Sequence, residues 1–256
     1  MKDITIDKSE LKKYLKELHL PFIRSNYENL IKSAIKKSSG YEALLLELFE
    51  GESKLRYENR ILRFLRQSKL PLEKNMSVFD LKRLSNKTIQ KVRSLLDGGF
   101  LERKENVIVF GNPGSGKTHL LCAISQELIR KNKRVFFTTC NTLVQELLIA
   151  KRDYKLVKKI KQFEKFDAII IDDIGYVQQS REEMEVLFTL LAERYENGSL
   201  MISSNLPFSK WEDIFKDPMI TAAAIDRLVH HSVIIELNLK SYRMEYAKKR
   251  IDEQHE

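Results

Sequence analysis

The chain of 256 residues contains only two cysteines, Cys122 and Cys140. They are too few, and too ordinary in spacing, for a disulfide framework or a metal cluster, so both are expected as small buried apolar residues in a reducing compartment. No apolar run approaches the ~20 residues that cross a bilayer, and the charged, amphipathic N-terminus lacks the apolar core of a cleavable signal. These absences exclude a membrane partner and predict a cytoplasmic protein. Internal repeats and low-complexity linkers are lacking too. The length therefore suits one large domain, or a core domain with a smaller companion.

Charge is abundant but unevenly placed. The formal net charge is +9, and residues 1–100 hold 21 Lys and Arg against 13 Asp and Glu, whereas residues 101–256 hold 24 against 23. Excess positive charge in one region is the footprint of a polyanion partner, because each phosphate contact releases condensed counterions. Lysine-rich helices that are merely solvated give the same count, so charge alone leaves both readings open.

Gly111-Asn112-Pro113-Gly114-Ser115-Gly116-Lys117-Thr118 directly follows the apolar run Val107 to Phe110 and precedes an amphipathic helical pattern, Leu120 to Ile129. Glycines at these spacings let the backbone curl so that successive N–H groups face phosphate oxygens, with the positive end of the next helix behind them. This is the pattern of a phosphate-binding loop for a nucleoside triphosphate. Lys117 is placed to reach the β- and γ-phosphates, and the Thr118 hydroxyl to ligate Mg²⁺. No other metal is implied.

Beyond Asn106, strand and helix patterns alternate. Strands are predicted at Val107 to Phe110, Arg134 to Thr138, Ala168 to Asp172, Leu200 to Ser203 and Val233 to Leu237. Such alternation predicts an α/β fold, a central parallel sheet flanked by helices, with ligands at the carboxyl ends of the strands. The third strand ends in Asp172-Asp173, about fifty-five residues after the loop lysine, and looks like a Walker B element. There Asp172 would hold Mg²⁺, and Asp173 would orient or deprotonate the attacking water. The fourth strand leads to Asn205, placed to touch the γ-phosphate or that water, although an Asn before Leu206-Pro207 is also an ordinary turn residue. Arg227, far downstream, could neutralise charge on the γ-phosphate of a neighbouring subunit, or pair locally with Asp226.

The first part of the chain reads as helices. Leu11, Tyr14, Leu15 and Leu18, then Tyr27, Leu30, Ile31 and Ala34, recur at helical spacing. Gly40 and Gly51 are expected to bracket a third helix, Tyr41 to Phe49, before a basic helix from about Glu52 to Ser68 that stops ahead of Pro71. On that basic helix Arg56, Arg60, Arg63 and Arg66 share a face, with Leu62 and Leu65 free to turn toward the core. The arginines could grip a DNA backbone or pair with Glu52 and Glu58. A second basic stretch runs from Lys151 to Lys165 and includes Lys155, Lys158 and Lys159. Lys151, Lys155 and Lys158 are predicted on one helical face, lining a DNA channel or covering a solvated connecting helix. The predicted domains are 1–80, helical, and 81–256, α/β.

Taken in order, several stretches resemble the IstB-type transposition helper ATPases, AAA+ proteins related to DnaC-type helicase loaders. They are Gly99-Phe100-Leu101-Glu102-Arg103-Lys104-Glu105-Asn106, Lys117-Thr118-His119-Leu120, Ile171-Asp172-Asp173-Ile174-Gly175-Tyr176, Ser203-Ser204-Asn205-Leu206-Pro207-Phe208 with Trp211, Asp226-Arg227-Leu228-Val229-His230-His231, and Ser241-Tyr242-Arg243. The resemblance implies an AAA+ P-loop ATPase core that binds ATP and Mg²⁺ through residues 111–119. It implies Asn205 as sensor 1, Arg227 as an arginine finger and Arg243 as a sensor 2 candidate. Its expected partners are DNA, a transposase and further copies of the chain in a ring or spiral. The chain departs from most AAA+ ATPases in carrying Asp where they carry Glu at position 173, which implies slow intrinsic turnover. It also leaves too few residues after the last strand for a multi-helix lid.

Overall fold

The computed structural model describes residues 8–175, 180–211, 218–242, 244 and 245. The chain divides into two compact units, Met1–Arg63 and Phe64–Glu256.

The first unit is helical, with α1 (Lys8–Glu17), α2 (Pro21–Lys36) and most of α3 (Tyr41–Ser68). Its core gathers Leu15, Ile23, Tyr27 and Leu48, with Leu11, Phe22, Leu30 and Leu44 packed around them. The stripes read from periodicity are only partly covered, since Tyr14, Leu18 and Ile31 stay exposed. Gly51 does not end a helix as expected, and α3 runs straight through it. The glycine is there for closeness, because a Cβ at that position would overlap the Phe22 ring of α2. At the next residue, the buried Glu52 carboxylate accepts the backbone N–H groups of Phe22 and Ile23 at 2.9 and 3.3 Å. Those donors belong to the first turn of α2, where no intrahelical acceptor exists, so Glu52 caps α2 from the neighbouring helix.

The second unit begins earlier than the predicted boundary at residue 80. Residues 72–75 run along the helix that follows the phosphate loop, α6 (Lys117–Arg130). There the Gln126 amide donates to the carbonyls of Leu72 and Lys74, and His119 Nε2 lies 3.0 Å from the Asn75 carbonyl. An irregular segment needs such partners for its backbone groups, and α6 supplies them. Helix α4 (Asn86–Asp97) follows, opened by the Ser85 hydroxyl accepting from Thr88 N–H and closed by Gly98. The short α5 (Gly99–Glu102) then leads into the sheet.

Five parallel strands make that sheet among the described residues: β1 (Asn106–Gly111), β2 (Val135–Thr139), β3 (Ala168–Ile174), β4 (Ser199–Ser204) and β5 (Ser232–Leu237). All five predicted strands are present, each within a residue or two of its expected limits. The spatial order is β2-β3-β4-β1-β5. Alternate residues serve opposite faces. Ile108, Ile169, Ile171, Leu200 and Ile202 join the core under α7 (Cys140–Arg152), α8 (Leu156–Glu164), α9 (Arg181–Arg194) and α10 (Pro218–Val229). Met201 points the other way and meets Ser125 of α6. This is the predicted α/β class with helices on both faces.

The lower end of the sheet is stapled by Arg194, which is 3% exposed. Its guanidinium donates to the carbonyls of Phe163, Phe166, Asp167 and Ser199 at 3.0 to 3.2 Å. Burial pulls its pKa down to about 10, so it remains charged at neutral pH.

Candidate nucleotide-binding site

The strand order explains why the site residues meet. Strand β4 lies between β1 and β3, so the loop after β1, the carboxylates ending β3 and the turn after β4 emerge side by side at the carboxyl edge. A cavity of ≈ 260 Å³ opens there, lined by residues 113–119 together with Asp173 and Asn205.

Gly114 holds φ 79°, and a Cβ on it would strike the Ser241 hydroxyl, so both backbone angle and space require glycine. Lys117 is buried, with Nζ 2.9 Å from the Gly111 carbonyl and 3.1 Å from that of Asn112. The ammonium is thus held over the loop that would cradle phosphates. Helix α6 starts at Lys117, so the N–H groups of its first turn and the positive end of its dipole face the cavity.

Thr118 Oγ1 donates to Asp172 Oδ1 at 2.8 Å. Ser203 Oγ of β4 donates to the same oxygen at 2.5 Å and accepts from Asp173 N–H at 2.8 Å. The β3/β4 register slips between Ile171 and Ile174, forming a bulge in which Asp173 takes φ 57°. In a regular strand, neighbouring side chains point to opposite faces. The bulge turns the chain so that Asp172 is buried beside Thr118 while Asp173 is exposed at the cavity.

A hydroxyl and a carboxylate within 3 Å of one another are the hard oxygen donors that suit Mg²⁺, which commonly takes one or two protein ligands and completes its shell with water and phosphate oxygens. The residues fit that ion. No group of three or more His, Cys, Asp or Glu side chains that could hold another metal occurs among the described residues.

Two further atoms mark the cavity as built for a polar ligand. Ser115 Oγ and Asn205 Oδ1 are buried and lack a hydrogen-bond partner, a costly arrangement that a ligand or ordered water would relieve. Asn205 is set by the residue before it: the single Ser204 hydroxyl proton is shared between the Ile174 and Leu206 carbonyls, at 2.9 and 3.0 Å, and its oxygen accepts from Leu206 N–H. The buried Trp211 indole adds a bond to the Leu206 carbonyl.

Sequence reading missed the apolar side of the cavity. Val78 and Phe79 line it from the segment before α4, and Leu239 and Tyr242 from the segment after β5. Phe79 also stands edge-on to His119, with ring centroids 5.2 Å apart. Arg83 connects the two segments, donating to the Lys240 carbonyl and to Glu245, both at 2.9 Å, while Tyr242 N–H bonds the Gly114 carbonyl.

Arg227 does not line the cavity. Its guanidinium lies 4.9 Å over the Phe188 ring with Nη1 buried and unpartnered, and no ion pair with Asp226 occurs among the described residues. Arg243 falls outside the described residues. Among the basic residues, Arg56, Arg60, Arg63 and Arg66 are all exposed on α3, but Arg56 is engaged by Glu52 at 3.2 Å and by the His19 carbonyl at 2.8 Å. Leu62 is exposed, against expectation, because four-residue spacing leaves it beside the arginine stripe. The predicted single face of Lys151, Lys155 and Lys158 is not formed. Helix α7 stops at Arg152, Tyr154 turns the chain with φ 56°, and α8 starts anew at Leu156. Lys151 pairs with Glu185, Lys155 with Asp153 and Lys159 with Glu146, which leaves Lys158 exposed.

No helix of the described residues is long and apolar enough to cross a membrane. Both cysteines are unbridged and buried as expected, and burial pushes the Cys122 thiol up to about 12.

Comparison with known proteins agrees with this site. The description "IstB-like ATP binding protein" matches residues 13–250. A Sinorhizobium fredii protein named for an insertion sequence and for ATP binding is 38% identical over 244 residues, covering 95% of this chain and 82% of that protein. Another such protein, from Geobacillus stearothermophilus, is 34% identical over 247 residues, covering 96% and 98%. Among solved structures, the DnaC helicase loader superposes with a TM-score of 0.56 at 17% identity, over 69% of this chain and 99% of that one. AMPPCP-bound DnaA from Aquifex aeolicus gives 0.56 at 16%, over 72% and 56%. At those identities the likeness concerns the fold alone. With matched residues spanning nearly its whole length, the chain belongs to the IstB-like family of ATP-binding proteins.

Proposed function

We propose that the chain is a Mg²⁺-dependent ATPase that assembles with ATP on DNA as a helper of a transposase and comes apart when ATP is hydrolysed. The observation that carries the reading is the convergence of Thr118, Asp172, Asp173 and Asn205 on one phosphate loop. The naming of its relatives for insertion sequences supports the transposition context.

In this reading the loop amides and Lys117 bind the β- and γ-phosphates, and the apolar wall of Val78, Phe79 and Tyr242 receives the base. Thr118 and Asp172 hold Mg²⁺, which supplies charge neutralisation at the phosphates. Asp173 accepts a proton from the attacking water, and Asn205 fixes that water or the γ-phosphate. Arg227, standing away from its own cavity, serves the γ-phosphate of an adjacent copy in a ring or spiral. Arg243 is a candidate for the same phosphate within its own chain. Exposed cations on α3 and Lys158 contact DNA phosphates without reading sequence. Because Asp173 is one methylene shorter than Glu, turnover is slow and rises on assembly. A second reading, an ATP-binding adaptor that hardly hydrolyses, draws on that same short carboxylate.

Single-turnover hydrolysis with and without DNA separates the two. Asp173→Asn should lower the rate by about 10²–10⁴-fold while keeping ATP-dependent assembly on DNA. Arg227→Ala should bind ATP without hydrolysing it, and mixtures of the two variants should regain activity at interfaces that combine an intact finger with an intact acid. Undiminished hydrolysis by Asp173→Asn, or no recovery in co-assembled mixtures, would overturn the respective roles.

A further inference from the structure

The bulge in β3 poses a problem of hydrogen bonding that one side chain solves. Register pairs Ile171 with Ile202 and Ile174 with Ser204, so two residues of β3, Asp172 and Asp173, stand opposite one residue of β4, Ser203. A bulge of this kind removes a ladder partner from one backbone N–H. Here that N–H belongs to Asp173, and the Ser203 hydroxyl accepts it at 2.8 Å. The same hydroxyl gives its own proton to Asp172 Oδ1 at 2.5 Å. Ser203 is 0% exposed, so no bulk water can substitute for either bond. The adjacent Ser204 holds the far end of the bulge through the Ile174 carbonyl and also shapes the turn that presents Asn205.

From this geometry we infer that Ser203 is a positioning residue for ATP hydrolysis, fixing the metal-binding and water-activating carboxylates to one strand and linking both to Asn205. The inference rests on the roles proposed above for Asp172 and Asp173. A hydroxyl is needed because only a group that donates and accepts at once can serve a carboxylate oxygen and an N–H together. Alanine would take the hydroxyl acceptor from the Asp173 N–H and leave Asp172 held by Thr118 alone of the two hydroxyls. Cysteine would be a poor substitute, being a weak donor and acceptor with a longer bond to carbon. Groups that orient metal ligands in this manner commonly change metal affinity or activity by about 10–100-fold when removed.

Two measurements on the full chain test this. Mg²⁺ is titrated against binding of a fluorescent ATP analogue, and single-turnover hydrolysis is followed at saturating Mg²⁺ and ATP, with thermal melting to confirm that each variant is folded. Ser203→Ala is expected to raise the Mg²⁺ needed for half-maximal binding by about tenfold or more and to slow hydrolysis by about 10–100-fold. Ser203→Thr, which keeps the hydroxyl, should recover much of both. A folded Ser203→Ala protein with parental Mg²⁺ demand and parental hydrolysis would overturn the inference, as would a threonine variant no better than alanine if both melt like the parent. If Ser203→Ala does not fold, the threonine and cysteine variants decide: equal Mg²⁺ demand in folded forms of both would overturn it. Failure of the hydrolysis reading is recognisable separately, since the parent would then show no turnover that Asp173→Asn abolishes, and Mg²⁺ demand alone would still judge Ser203.

Discussion

The two units solve the burial problem on different scales, and the contrast bears on what each does. In the α/β unit the sheet residues Val107, Ile108, Val109, Ile169, Ile170 and Ile171 are wholly buried, covered on both faces. The helical unit has a core of four buried side chains in one cluster, and large apolar residues such as Leu18, Ile35, Tyr41 and Leu46 are at least 60% exposed. The ion pairs of Lys8 and Lys12 with Glu28 are superficial as well, whereas Arg56 meets the buried Glu52. Exposed pairs like the first two contribute little, because solvent screens them. The α/β unit is therefore a rigid frame for chemistry, whereas the helical unit relies on a few close contacts. Small cores unfold before large ones.

The sharpest test of that contrast is Arg194. Four carbonyls, from the last turn of α8, the segment before β3 and the first residue of β4, converge on its guanidinium, and Gly198 lies so close that a Cβ there would overlap it. Arg194→Met keeps the apolar volume but removes every one of these charge-assisted bonds. The expected loss is about 3–5 kcal/mol, from acceptors left buried with fewer donors. For a unit of this size that corresponds to a drop in melting temperature of roughly 10 °C. Calorimetry showing a change below about 1 kcal/mol would mean that the sheet does not depend on its staple, and the contrast between the units would lose its firmest support.

Gly51→Ala sharpens the other side of the comparison. The added methyl meets the Phe22 ring, so α2 must move away from α3 or Phe22 must change rotamer. Overpacking of this kind costs about 1–3 kcal/mol, while the helix propensity gained by Ala returns less than about 1. Amide exchange should therefore speed up in residues 8–63, and ATP affinity should stay at the parental value. Equal loss of protection in both units would show that they unfold as one, against the division drawn between them.

The same contrast explains what could be read from the sequence. Strands buried on both faces, such as β1, β3 and β4, appear as apolar runs with sharp ends, and the edge strands β2 and β5 keep enough of that pattern to be legible as well; the loop that follows β1 carries its chemistry in eight consecutive residues. Asp172 and Asp173 were legible as a pair. The bulge that separates their tasks was not, because it depends on Ser203 opposite them in another strand. Gly51 misled for a related reason: a glycine at a helix end and a glycine under a neighbouring ring look alike until the neighbour is known. The nucleotide cavity's apolar wall escaped too, since Phe79 and Tyr242 lie more than 160 residues apart in irregular segments without periodicity. The continuous face expected for Lys151, Lys155 and Lys158 failed on one turn at Tyr154, a residue with no strong preference for positive φ.

The smallest expected effect concerns DNA, and it asks whether the exposed cations of α3 have a task beyond solvation. Arg56 is already committed to Glu52 and His19 within the helical unit, so its removal would disturb structure as well as charge. Arg60, Arg63 and Arg66 are exposed further along the same helix. Replacing all three by alanine removes three positive charges with little change in helix propensity. If each contacts a phosphate, duplex affinity should fall for every sequence alike, and the slope of log K against log salt should flatten by roughly 0.9 per contact, about 2.7 in all. Nucleotide affinity should hold, because none of the three lines the nucleotide cavity. A salt slope identical to that of the parent would assign these arginines to solvation. Lys158, an exposed cation on α8, would then be the next position to neutralise, with an expected flattening of about 0.9 for that single charge.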